Sequence, residues 1–167
     1  MRIATFVLLL FLMVSGCTWI GGYSQETLYP DNIQTVCLEM FDNRSFRRDA
    51  EYQLTDALAK RIESETPYKI QSDENLADSL MTGQIVSIRE AILTVERETG
   101  RALEKEFIIE AVVSWKNLKT GELLLDNEPV TTSASYSEFL NQSEGYATGL
   151  AANRLAQRIV EQMEKPW

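Results

Sequence analysis

Phe107-Ile108-Ile109-Glu110-Ala111-Val112-Val113-Ser114-Trp115 is the stretch from which the fold can be read. Successive side chains of an extended chain point to opposite sides, so Phe107, Ile109, Ala111, Val113 and Trp115 share one face. Five apolar residues at a period of two predict a half-buried strand over residues 103–116. Just upstream, residues 80–97 form a second long extended segment, and Glu98-Thr99-Gly100-Arg101 joins the two as a hairpin. That segment is less regular. Ile85, Ala91, Leu93 and Val95 fall on one face with Arg89, while Val86, Ile88 and Ile92 fall on the other with Glu90. The mixture predicts a bulge near Arg89 or Glu90, or a hairpin tip that projects past its cover and is wet on both faces.

Working outward, Gln34, Val36, Leu38 and Met40 alternate as a first strand after the turn residues Tyr29-Pro30-Asp31-Asn32. Ala50, Leu54, Ala57, Leu58 and Ile62 then repeat at helical spacing over residues 49–65, with Asp56 and Lys60 as an i, i+4 pair on the outer face. Thr66-Pro67 ends this helix, because the residue before proline is pushed out of the helical region. A short extended piece over residues 68–71 leads into an acidic loop over residues 72–78. After the hairpin, residues 117–122 make a tight turn around Thr120-Gly121, and residues 123–126 begin a last strand that Pro129 interrupts, as suits an edge. Asn141, with Glu144 three residues on, is placed to cap a second helix whose stripe is Ala152, Leu155, Ala156, Ile159, Val160 and Met163. Two helices with one apolar face each and four main strands predict an α+β two-layer sandwich, both helices on one face of a mainly antiparallel, mixed four-stranded sheet.

The first residues say where such a domain would live. Met1-Arg2 is a short basic start, residues 3–14 are apolar, and Val14-Ser15-Gly16-Cys17 is a lipobox. The run is well short of the ~20 residues a spanning helix needs. It is therefore expected to be cut between Gly16 and Cys17, leaving Cys17 as the lipidation site and several acyl chains, palmitate among them, as a permanent membrane anchor. Thr18 stands where inner-membrane retention would show an aspartate, which directs the protein to the outer membrane, facing the periplasm. The expected organisation is a signal peptide over 1–16, a lipidated N-terminus and flexible tether over 17–29, and one domain over 30–167.

Removing the signal leaves 151 residues with 15 basic and 25 acidic side chains, a net charge of -10. Nucleic acid is disfavoured as a partner. The chain has no histidine, so the usual general base near neutral pH and the commonest transition-metal ligand are missing. No glycine loop cradles phosphate, and no hydroxyl nucleophile has an evident activating base. Asp73, Asn75 and Asp78 fail the EF-hand spacing, since Gln84 stands where the closing glutamate belongs. The reading is of a protein that is not an enzyme, with no cofactor and no metal. With Cys17 lipidated, Cys37 has no intramolecular partner; a buried thiol in Val36-Cys37-Leu38 is expected, with intermolecular pairing as the alternative. Positive charge gathers at Arg44, Arg47 and Arg48, at Arg97, Arg101 and Lys105 around the hairpin turn, and at Lys116 and Lys119. The hairpin cluster is the candidate anion-binding site, because guanidinium groups bind phosphate in a forked geometry, although Glu96, Glu98, Glu104 and Glu106 surround it.

Taken in order, Leu28-Tyr29-Pro30-Asp31-Asn32-Ile33, Phe41-Asp42-Asn43-Arg44-Ser45-Phe46-Arg47-Arg48, Gln53-Leu54-Thr55-Asp56-Ala57-Leu58, Thr66-Pro67-Tyr68-Lys69-Ile70, Ala77-Asp78-Ser79-Leu80-Met81-Thr82-Gly83-Gln84-Ile85 and Trp115-Lys116-Asn117-Leu118-Lys119-Thr120-Gly121-Glu122 resemble the LptE family of lipopolysaccharide-assembly lipoproteins. The resemblance implies two helices on a four-stranded sheet and no catalytic activity. It implies a lipoprotein that plugs and helps assemble the large β-barrel translocon subunit (LptD-like), and that binds lipopolysaccharide at the last step of its transport. It carries over no individual binding residue, so Arg97, Arg101 and Lys105 rest on charge and position alone. Val36-Cys37-Leu38-Glu39-Met40-Phe41-Asp42-Asn43 before a helix also resembles secretion-pore and TolB-like envelope domains, so a pore-forming or scaffold lipoprotein is the alternative. A spanning hairpin needs an apolar lipid-facing side, and Arg89, Glu90 and Glu110 argue against one.

Overall fold

The computed structural model describes residues 28–165. The signal segment, Cys17, most of the expected tether and Pro166-Trp167 lie outside them. The elements are β1 (Thr35–Leu38), β2 (Asp42–Asn43), α1 (Ala50–Glu65), β3 (Lys69–Ile70), β4 (Ser79–Val95), β5 (Ala102–Asn117), β6 (Leu123–Tyr136) and α2 (Glu144–Gln162), with single 3-10 turns at Glu74–Leu76 and Glu138–Leu140. One sheet runs β3-β1-β4-β5-β6, and β2 pairs with β4 beyond the end of β1. β4, β5 and β6 form an antiparallel meander, whereas β1 lies parallel to β3 and β4, and β2 parallel to β4. The α+β class stands, but the sheet has six strands rather than four. The two additional strands are two residues each, too short to carry a period, and exist because tertiary pairing aligns Thr35 with Lys69 and Asn43 with Ile85.

The odd-numbered face of β5 is buried from Phe107 to Trp115: Phe107, Ile109, Ala111, Val113 and Trp115 all lie in one core with Met81 and Ile85 of β4 and Val130, Ala134 and Tyr136 of β6. The stripes of both helices close that core from one side. Phe41 fills the space above Gly83, where a Cβ would stand 2.2 Å from its ring, so a glycine is required at that point of β4. At the lower rim the Trp115 indole N–H donates to the Ser79 hydroxyl (3.0 Å), which donates to the Thr35 carbonyl (3.1 Å). Tyr68 packs between Tyr29, edge-on with ring centres 5.8 Å apart, and Trp115, tilted at 5.7 Å.

The irregularity in β4 is resolved by register. A shift lies between Ile85 and Ser87, so Val86 is the bulged residue, and further shifts surround Leu93. The bulge therefore falls three residues before Arg89 and four before Glu90. Because it resets the alternation, Ile85 and Ile88 both face the helices although they are three residues apart, and Glu90 follows them opposite Phe107. α2 also starts differently from expectation. Ser143 caps it by accepting from the Tyr146 N–H (3.2 Å). Asn141 instead ends the preceding 3-10 turn in the left-handed region (φ 57), a conformation asparagine tolerates.

Pro129 does not interrupt β6, which is continuous through it and forms an edge of the sheet. Thr131 and Ser133 turn their carbonyls away from β5 toward α2. By the alternation of an antiparallel strand Pro129 presents its nitrogen on that same outer side, so no ladder bond is lost.

Candidate functional site

The sheet has two unlike ends. At the lower end the chain enters at Leu28, whose carbonyl accepts from the Lys165 N–H (2.7 Å) just beyond α2. Asp78 clasps the strands there: its carboxylate accepts from the N–H groups of Gln34 (2.8 Å) and Thr35 (3.1 Å) and pairs with the Lys119 ammonium (2.6 Å). Those bonds, the Lys119 contact foremost, hold its carboxyl below the usual aspartate range. Asp73 and Asn75, the other members of the acidic loop, bond each other within the 3-10 turn. Cys37, on the opposite face of β1 from Val36, is a buried free thiol raised by burial and by neighbouring carboxylates.

At the upper end the β4–β5 hairpin outruns the helices. Both helices begin at this end, since Arg47, just ahead of α1, pairs with Glu144 in the first turn of α2. Ile92, Leu93 and Val95 are exposed. The turn closes through Glu96 N–H to the Arg101 carbonyl (2.8 Å) and Gly100 N–H to the Glu96 carbonyl (2.8 Å), with Gly100 at φ 70, a value that favours glycine.

The three predicted basic residues of the hairpin separate. Lys105 turns toward the helix side, where its ammonium pairs with Glu138 (2.8 Å) and lies 5.7 Å from the centre of the Tyr136 ring. Arg101 lines a cavity of about 250 Å³ with Ala102, Glu138 and Phe139 and adds to the field on the same carboxylate. Arg101 and Lys105 thus converge on Glu138. Arg97 stays apart in the exposed turn, with no ion pair among the described residues. The bond to Glu138 raises the Lys105 ammonium above its usual value, and the same bond lowers the Glu138 carboxyl.

Sequence reasoning missed the loop over residues 137–143. It places exposed Phe139 and Leu140 beside the hairpin and, with Thr94, Leu103, Tyr136 and Gln142, borders an open groove of about 500 Å³. An apolar pair in an otherwise polar loop, belonging to no helical or strand stripe, was the available signal. Apolar side chains, the Arg101 guanidinium, the Lys105 ammonium and one bridging carboxylate therefore meet at one end of the sheet. That arrangement can receive an anionic amphiphile.

The other predicted basic groups do not join this end as a set. Arg47 is a strut: its guanidinium pairs with Glu90 (3.0 Å) and Glu144 and lies 5.3 Å over the Phe107 ring. Tyr136 donates to the same Glu90 carboxylate (2.9 Å) and is raised first by burial and then by that bond. Arg44 and Arg48 are exposed beside exposed Phe46, on a turn held by Asn43 bonds to Ser45 and Arg47. Lys119 is engaged by Asp78 and Lys116 is exposed. Among the described residues no group of three or more acidic or cysteine side chains is placed to hold a metal ion, and no helix is long and apolar enough to cross a membrane.

Solved structures with this fold include an uncharacterized lipoprotein B from Nitrosomonas europaea (15% identity, 77% of this chain and 80% of that one, TM-score 0.53). Rare lipoprotein B from Shewanella oneidensis is also similar (17% identity, 78% and 93%, TM-score 0.50). So is PelC from Paraburkholderia phytofirmans, solved as a dodecamer (12% identity, 83% and 96%, TM-score 0.53). At these identities the likeness is one of fold. No curated protein sequence matches the chain. The lipopolysaccharide-assembly family LptE matches over residues 33–164, nearly all of the described domain. The chain therefore belongs to the LptE family of lipopolysaccharide-assembly lipoproteins.

Proposed function

We propose that this protein is a non-catalytic lipoprotein of the outer membrane, anchored through lipid on Cys17. It plugs and helps assemble the β-barrel of a lipopolysaccharide translocon, and it meets lipopolysaccharide at the hairpin end. The observation that carries this reading is the separation of the two ends. The chain enters at Leu28, while the basic and apolar groups sit at the far end of β4 and β5. A strand of 16 residues such as β5 spans about 50 Å at ~3.4 Å per residue, more than the ~30 Å of a bilayer core. A domain rooted at the inner leaflet can thus carry its tip through a barrel lumen to the outer one.

The sheet face turned away from the helices suits the wall of such a lumen, which is polar. It carries Thr82, Gln84, Ser114, Thr131, Ser133 and Ser135 interspersed with Leu80, Ile108 and Val112, and at its centre the Ser87 hydroxyl and Arg89 guanidinium both engage Glu110. An uncovered face of this composition remains soluble before assembly.

Affinity purification of the lipidated protein from outer membranes tests the barrel partner. A large β-barrel at equal stoichiometry is expected. Recovery of self-oligomers or of another envelope complex would overturn the reading and favour the scaffold alternative. For the tip, R97E/R101E is expected to lose lipopolysaccharide binding while the purified protein keeps its fold. K105E, which sets a carboxylate against Glu138, is a separate probe of the loop over residues 137–143. Undiminished binding by both variants would remove the hairpin site.

A further inference from the structure

A groove with two arginines lies on the other side of the molecule, between α2 and the free edge of β6. Arg154 and Arg158 stand one turn apart on α2, and each sends one Nη1 to a β6 carbonyl: Arg154 to Ser133 (2.7 Å) and Arg158 to Thr131. The spacings match, since four helical residues rise about 6 Å and two strand residues about 6.8 Å. These bonds have two effects. They occupy the Thr131 and Ser133 carbonyls, and they hold each guanidinium at the edge of β6 by one N–H.

The N–H groups of Thr131 and Ser133 lie on the same outer side as their carbonyls. The remaining guanidinium N–H groups have no protein acceptor among the described residues. Thr132, only 8% exposed, lines the same groove, and its hydroxyl has no hydrogen-bond partner among the described residues. The groove holds about 480 Å³ and is completed by Gln157 and Glu161. Two carboxylates lie nearby and keep their charge: Glu161 at the lip, accepting from the Gln157 amide (3.0 Å), and Glu106, accepting from the Ser133 hydroxyl (2.6 Å), against the two guanidinium ions. An edge strand normally alternates donors and acceptors and so invites another strand. This edge offers mainly donors.

We propose that the Arg154–Arg158 groove is an oxyanion site that takes a phosphoryl group, held in the forked geometry of two oriented guanidinium ions and by the outward N–H groups of β6. Preorganisation supplies the affinity, because the arginine side chains are already ordered by the carbonyl bonds. The protein as a whole is acidic, so the attraction is local, confined to about the ~8 Å Debye length at physiological salt. The proposal does not depend on the hairpin tip.

The test is titration of the 15N-labelled full chain with inorganic phosphate at constant ionic strength, following the amide signals of Thr131 and Ser133. Saturable shifts at those amides are expected, with chloride giving none. Q157E leaves both arginine–carbonyl bonds in place but adds a negative charge at the lip, and should weaken binding about tenfold. R154A/R158A should abolish it, with retained dispersion elsewhere reporting that the fold survives. Two further arms identify the source of the phosphoryl group. Lipopolysaccharide shifting the same amides well below the phosphate concentration assigns a lipid head group, and dephosphorylated lipopolysaccharide should then fail. Shifts with inorganic phosphate alone assign a soluble anion. No saturable shift with either probe, or shifts unchanged in Q157E, overturns the proposal. R97E/R101E should leave these shifts intact, so failure at the tip and failure in this groove are read separately.

Discussion

The lower and upper halves of the β4–β5 hairpin are built on the same backbone but held in different ways. Below the Val86 bulge, Met81, Ile85, Val113 and Trp115 are sealed under the helices, and the polar groups among them, Ser79 and the Trp115 indole, bond each other. Above it one face stays sealed as far as Phe107, beyond which β4 and β5 have solvent on both faces, and the links are charged: Arg89 to Glu110, Arg47 to Glu90, Lys105 to Glu138. Burial of apolar surface contributes about 25 cal/mol per Å², whereas an exposed ion pair contributes about 0–1 kcal/mol. The lower half therefore holds the fold, and the upper half is free to carry exposed apolar and basic groups at little cost to stability.

The sharpest way to break this contrast is a matched pair of truncations. Trp115→Ala should cost about 3–5 kcal/mol in denaturant unfolding, since it empties the core and leaves the Ser79 hydroxyl without its donor, while Leu93→Ala near the tip should stay within about 0.5 kcal/mol. Equal costs would mean that the hairpin is one cooperative unit. Gly83→Val comes next, at about 1–3 kcal/mol or more, because a Cβ there collides with the Phe41 ring. Adding Phe41→Leu should recover part of the loss, and no recovery would place the strain elsewhere.

Asp78→Asn should cost about 2 kcal/mol at neutral pH, the scale of hydrogen bonds to a charged group. The pH dependence has a definite sign. The folded carboxyl titrates below its unfolded value of about 3.9, so its contribution is complete above that value and is lost as pH falls through the folded pKa. Wild type and Asp78→Asn should therefore converge in stability below pH ~4, and parallel curves down to pH 2 would exclude the clasp. Arg47→Ala tests the joint between the halves. It should cost about 1–2 kcal/mol and raise amide exchange of β4 beyond Glu90 more than that of residues 79–85. Smallest of all, R97E/R101E should leave the melting temperature unchanged, whatever it does to lipopolysaccharide binding.

Legibility followed the same division. The strand face over residues 107–115, the stripes of both helices and the stop at Thr66-Pro67 were readable because burial imposes a period and proline imposes a boundary. A hairpin tip wet on both faces was expected and is present. Exposed apolar side chains there also obscured where the alternation in β4 resets, so the bulge was displaced from Val86 to Arg89 or Glu90. Charge marked Arg97, Arg101 and Lys105 as one group, but composition carries no direction: Arg101 and Lys105 gather at Glu138 while Arg97 stays in the exposed turn. Arg154 and Arg158 sit on the solvated side of the α2 stripe and read as ordinary surface residues until the edge of β6 lies beside them.

The sequence by itself determined the elements that repeat: two amphipathic helices, a long hairpin, the α+β class and, through the order of its segments, the family. These depend on local periods and turn residues, which act between neighbours a few positions apart. Only the tertiary structure decided that β2 exists, that the extended piece at residues 68–71 pairs with β1 as β3, that both helices begin at the hairpin end, and that Asp78, Arg47 and the α2 arginines are fastenings rather than surface charge. Those facts rest on pairings between residues tens of positions apart, whose partners are set by how the layers pack and not by any local pattern.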